Sequence, residues 1–154
     1  MSRLAFLSPA NAPFASPLAR ARGDGVTDVS HLGKLELRGR LDGLEPADGQ
    51  ELLRYAPSRA LLVTDGPAQP VGVPGVRAYD LTAALAAFEF DGEDALRRLT
   101  DLDPERLPAA GSIARGTWAL IQQRGGDTFR VFVPQELGHY VVEVVFDTLR
   151  GLGR

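Results

Sequence analysis

The residues best suited to chemistry lie close together in Asp28-Val29-Ser30-His31-Leu32-Gly33-Lys34. A carboxylate, a hydroxyl, an imidazole and an amine could bind and activate a small polar molecule, provided that one pocket gathers them. His31 is the natural general base, and Asp28 could orient it only if the chain bends between them. The other reading, which the spacing favours, makes His31 a partly buried strand-edge residue with one backbone hydrogen bond. Ser30, His31 and Asp28 do not signal a hydrolase. No Gly-x-Ser-x-Gly elbow accompanies them, and triads are assembled in space rather than along the chain. Asp28, Ser30, His31 and Lys34 are therefore pocket candidates, and no catalytic residue is assigned.

Other polar groups have simpler explanations. His139 is the second of only two histidines, cysteine is absent, and no ligand spacing occurs, so no metal site is expected. Asp91, Glu93 and Asp94 are accounted for by helix capping. The glycine turns at 23–25 and 125–126 lack the Lys and Ser/Thr of a phosphate loop. Trp118 and Phe129 could stack on a planar ring, but on alternating strands they are expected in the core.

The elements that must position these residues carry a repeated phrase. Asp28-Val29-Ser30 precedes Glu36-Leu37-Arg38-Gly39 by five residues, and Asp80-Leu81-Thr82 precedes Glu89-Phe90-Asp91-Gly92 by six. Two copies are too few for a solenoid and imply one domain of two related halves. At 154 residues and 44% apolar content, the chain has room for one core.

Residues 1–24 hold three prolines and no period, and read as an extended N-terminal arm. The single domain then spans 25–154, with halves 25–66 and 76–151 joined by a Pro/Gly loop at 67–75. Val26 to Arg38 reads as a strand, with Leu35 and Leu37 on one face and Lys34, Glu36 and Arg38 on a wet one. Residues 40–50 turn, and Ser58 to Thr64 forms a second strand. In the second half, Val76 to Thr82 and Ala84 to Phe90 are extended, and a short helix occupies roughly 92–101. Gly111 to Gln123 reads as one long strand. Gly125-Gly126-Asp127 turns it into Thr128 to Val133, and a helix after Pro134 carries Leu137, Val141, Val144 and Val145 on one face as far as Gly151. Strand, helix, strand, strand, helix is the core of a ferredoxin-like unit whose missing strand the first half would donate. The expected class is α+β: two ferredoxin-like halves, antiparallel sheets with few helices, and an abbreviated first half.

Charge excludes some functions. The net charge is −3, and 16 arginines are scattered without a basic stripe, so nucleic acid is not an expected partner. The single lysine, Lys34, reads as a consequence of base composition. Leu4 to Leu7 is too short for a signal-peptide core, and no 18-residue apolar span occurs, which excludes a membrane span. A cytoplasmic, unprocessed protein is expected.

The phrase Gly25 to Gly39 resembles the opening strand of the glycine-cleavage aminomethyltransferases and their folate-binding relatives. Ser16-Pro17-Leu18, Tyr79-Asp80-Leu81-Thr82, Leu96 through Asp103, Phe129 to Pro134 and the closing amphipathic helix look closer to one branch, the gamma subunit of heterotetrameric sarcosine oxidase. In order, these pieces cover most of 16–150. The aminomethyltransferase hairpin that carries the amine-orienting acid has no match, because Gly111 to Gly126 contains no carboxylate, and the later barrel domain is missing too. Asp42 to Tyr55 also departs from the gamma pattern, being short and proline-broken where that family has a helix.

The resemblance implies a non-catalytic gamma-like subunit, serving assembly and stability in a complex that oxidatively demethylates sarcosine or a related N-methyl amine. No cofactor would be bound by this chain. Flavin, NAD and tetrahydrofolate would sit in larger alpha- and beta-type partner subunits. Two other readings stand beside it: a stand-alone folate-binding aminomethyltransferase-like enzyme, and a homo-oligomeric interaction protein.

Overall fold

The computed structural model describes residues 14–69 and 71–154. It contains nine strands, β1 (Val26–Asp28), β2 (Gly33–Gly39), β3 (Gln50–Ala56), β4 (Arg59–Thr64), β5 (Val76–Asp80), β6 (Leu85–Asp91), β7 (Ala109–Ile113), β8 (Thr117–Gly125) and β9 (Thr128–Pro134). Among the described residues there are two α-helices, α1 (Glu93–Leu99) and α2 (Gln135–Gly151).

The strands form two antiparallel sheets, ordered β3-β4-β2-β5 and β1-β6-β9-β8-β7. Four strands of each correspond, and β7 has no counterpart in the first-half sheet. β2, β3, β4 and β5 occupy the places that β6, β8, β9 and β1 occupy in the other sheet, so the chain is α+β with two ferredoxin-like halves. β1 is the strand donated by the first half, pairing Val26 with Phe90 and Asp28 with Phe88. Where the second half runs α1 between β6 and β7 and ends in α2, the first half has only loops, and this is its abbreviation.

Three apolar layers follow from this arrangement. Phe88, Phe90, Phe129, Val131 and Val133 lie under the helices, packed against Leu96, Val141, Val145 and Leu149. Gly138 permits that contact, because a Cβ there would lie 2.8 Å from Ala86 and 2.9 Å from Leu18. Between the sheets, Leu53, Leu61 and Val63 meet Leu85, Ala87, Leu120 and Phe132. On the outer face of the first-half sheet, Leu35, Leu37, Ala60 and Leu62 are covered by loop residues such as Leu41 and Val71.

Several expectations need correction. Val26 to Arg38 is not one strand. The Asp28 carboxylate accepts the Ser30 N–H at 3.0 Å, which turns the chain out of β1 and into the other sheet. The polar face of β2 is wet only at Arg38, since Lys34 and Glu36 face the second sheet and are buried. The proline-broken stretch 42–55 contains all but the last residue of β3, which begins beyond Pro46.

Gly111 to Gln123 folds back on itself. β7 and β8 pair through a turn at Ala114 (φ 49°) and Arg115 (φ 67°), neither of which announces a left-handed turn in sequence. Glu93 and Asp94 stand in the first turn of α1 as expected, and Asp94 Oδ1 accepts the Ala95 N–H at 2.9 Å, but the N-cap position is Gly92, which offers no side chain. The first N–H of the helix, that of Glu93, donates to Asp127 Oδ1 in the β8–β9 turn at 2.8 Å. Of the expected arm, residues 1–13 lie outside the described residues, and the remainder is not free of packing, because Leu18 is buried beneath α2.

Candidate functional site

The repeated phrase builds the crossover between the sheets. Asp28 ends β1 and Asp80 ends β5, and each carboxylate accepts the N–H two residues on, from Ser30 at 3.0 Å and from Thr82 at 2.9 Å. Each hydroxyl then receives a backbone N–H from the strand that follows in the other copy: Ser30 Oγ from Ala87 at 3.0 Å, and Thr82 Oγ1 from Lys34 at 3.0 Å. The intervening residues match too. Val29 N–H donates to Ala87 O at 2.9 Å and Leu81 N–H to Lys34 O at 2.8 Å. The crossover therefore has two-fold pseudosymmetry, relating Ser30 to Thr82 and Ala87 to Lys34.

Lys34 breaks that symmetry. It is 0% exposed, and its ammonium donates to Ser30 O at 2.6 Å and Thr82 O at 2.9 Å, carbonyls that the pseudosymmetry makes equivalent. Burial lowers its pKa from 10.5 to about 8, against the opposing fields of Asp28 and Asp80. The only lysine in the chain thus joins the two halves from inside, a placement that base composition does not account for.

The four pocket candidates do not share a surface. Ser30 and Lys34 are buried and bonded to backbone, whereas His31 is exposed in the turn. The chain bends as a His31–Asp28 pair would require, but Asp28 is engaged by Ser30 N–H and by the Ser16 hydroxyl. His139 stands exposed on α2, 3.7 Å from Glu143. Among the described residues no group of three or more His, Asp or Glu is placed to hold a metal.

A second polar group lies at one end of the inter-sheet face. Glu36 accepts from Arg38 and from the Tyr55 hydroxyl, both at 2.7 Å, and Arg59 is 4.0 Å away. Burial raises the Glu36 pKa, but these bonds and charges outweigh it and hold the carboxyl below its usual range. The Tyr55 hydroxyl is pushed up to about 12 by burial and by the Glu36 carboxylate. Arg38 lies over the Tyr79 ring at 4.9 Å, and Tyr55 meets Trp118 edge to face at 6.4 Å. Trp118 is 41% exposed, contrary to the expected core position, whereas Phe129 is buried as expected. The register that aligns these side chains depends on β3 and on the β7–β8 turn, neither of which was legible in sequence.

A third group, Glu51, Glu89, Arg124, Arg130 and Gln122, spans the two sheets. Arg130 donates to Glu89 at 2.8 Å, and Arg124 and Gln122 reach Glu51. Its charges are paired with one another, which suits a clamp between sheets.

No protein-family model and no curated protein matches this chain. The fold has a counterpart in a heterotetrameric sarcosine oxidase. A chain of that enzyme from Corynebacterium sp. U-96, solved in complex with pyrrole 2-carboxylate, superposes with a TM-score of 0.71 at 16% sequence identity. The superposition covers 92% of this chain and 97% of that one, so the two are of nearly equal length and share the whole architecture. At this identity the likeness is one of fold.

Proposed function

We propose that the chain is a non-catalytic, gamma-like subunit of a sarcosine oxidase-type complex that oxidatively demethylates sarcosine or a related N-methyl amine. The observation that carries this reading is the end-to-end superposition on a chain of a heterotetrameric sarcosine oxidase. It coincides with the resemblance drawn from the ordered sequence pieces between 16 and 150. In this reading larger subunits hold flavin, NAD and tetrahydrofolate, and this chain contributes assembly and stability. The internal bonding of Ser30 and Lys34 agrees with a structural role for the best-matched segment and weighs against a stand-alone enzyme.

Co-purification of the tagged protein from its native host tests the proposal. Larger partners with flavin absorbance and sarcosine-dependent peroxide formation are the expected result. A folded, colourless protein that elutes alone would overturn it.

A further inference from the structure

Three arginines stand side by side on one face of the first-half sheet. Arg38 on β2 lies directly opposite Arg59 on β4 and directly opposite Arg77 on β5. Directly opposed residues share a face, and like charges so placed destabilise a sheet. One carboxylate relieves the row: Glu36 bonds Arg38 and lies 4.0 Å from Arg59, while Arg77 forms no ion pair with a described residue. All three arginines are exposed, and β5 is an edge strand, so the row opens onto the rim of the molecule.

The surroundings suit a partner surface. Tyr79, 41% exposed, lies beside the row under Arg38, and Trp118 is exposed across the Tyr55 contact. Arg38, Arg77 and Tyr79 line an open recess of about 500 Å³. Arginine, tyrosine and tryptophan are the types that dominate binding energy when a partner desolvates them. Repulsion along the row leaves a need for negative charge that this face does not meet itself.

We propose that the Arg59–Arg38–Arg77 row is the docking site for an acidic segment of a partner polypeptide. Carboxylates of that segment pair with the guanidinium groups, and its apolar parts lie on Tyr79 and Trp118. A nucleic-acid strand fits less well, because the Glu36 carboxylate lies among the arginines and Asp80 follows on the same edge strand. The proposal rests on the subunit reading for the source of the segment, while the surface itself is tested with the isolated protein.

Trp118, the only tryptophan, is a built-in reporter. Titration with a synthetic hexaglutamate peptide should change its fluorescence saturably, and the affinity should fall as salt rises from about 0.05 to 0.3 M. The double variant Arg59→Gln/Arg77→Gln should bind at least roughly tenfold more weakly. The double variant Arg106→Gln/Arg150→Gln, an equal loss of charge at exposed sites away from the row, should bind like the wild type. Cooperative melting of each variant establishes that it is folded, and Arg77→Gln alone serves if the pair is not.

No saturable hexaglutamate response, or equal affinity in the variants, overturns the proposal. So does an inorganic phosphate response as strong at equal charge, or tighter binding of a ten-residue oligothymidylate. None of these results bears on co-purification with flavin-bearing partners, so the two proposals fail separately.

Discussion

Ser30 and Thr82, 52 positions apart in sequence, play the same part in the fold. Each follows an aspartate that caps its turn, and each hydroxyl accepts at 3.0 Å a backbone N–H from the other copy's next strand. β1 leaves the second-half sheet for β2, and β5 leaves the first-half sheet for β6, so these two hydroxyls seal the points where the halves exchange chain.

Burial separates the two. Ser30 is buried and satisfies both the N–H and the carbonyl of Ala87, whereas Thr82 is partly exposed. Ser30→Ala should lower unfolding free energy by about 1–3 kcal/mol, because the buried Ala87 N–H is left without a partner and without water, while the Ala87 carbonyl keeps only the Val29 N–H. Thr82→Ala should cost less, since water can reach the freed Lys34 N–H. Urea unfolding of the two variants measures the order, and a larger loss for Thr82→Ala would contradict the account of the crossover.

Lys34 sets an alkaline dependence of stability. Below about pH 8 folded and unfolded chains both hold the proton, and the folded state bears the full penalty of a buried ammonium. Between about 8 and 10.5 the unfolded chain binds more protons than the folded one, so stability rises with pH across that window and levels off above it. From pH 7.5 to 10 the gain should be ~2 kcal/mol relative to Lys34→Met, which lacks the titrating group. The difference in urea midpoints between the two proteins at the two pH values isolates this effect. Parallel pH profiles would place the ammonium in water.

Tyr55 reports on the inter-sheet carboxylate. Its pKa of about 12 depends on burial and on the Glu36 charge, so Glu36→Gln should bring the titration down toward the ordinary tyrosine value of about 10. Phenolate absorbance followed with pH, with Tyr55→Phe identifying the step, reads this directly. Glu36→Gln should also flatten the acid limb of the stability profile. The depressed Glu36 pKa contributes stability present above its unfolded value of 4.5 and lost as pH falls through the folded one. An unchanged Tyr55 titration would separate the hydroxyl from the carboxylate.

Much of the fold was legible because local signals and burial agree. The repeated Asp-x-Ser/Thr phrase marked two halves, and the Gly125-Gly126 turn marked the β8–β9 hairpin. The three- and four-residue spacing of Val141, Val144 and Val145 marked α2. Each is a short-range pattern that the finished structure does not override.

The tertiary structure decided the rest. Alternation along β2 distinguishes Leu35 and Leu37 from Lys34, Glu36 and Arg38, but it cannot say that a second sheet covers the polar side. Only that covering turns Lys34 from a surface charge into the interior link between Ser30 and Thr82. The Ala114-Arg115 turn escaped notice because neither residue favours a positive φ on its own; the β7–β8 pairing imposes it. The arginine row exists only through register, which brings residues 38, 59 and 77 abreast on three strands. Sequence determined which residues could form strands and turns, since that chemistry is local. Which charges are buried, paired or left facing a partner depends on what lies across the sheet, and only the assembled halves determine that.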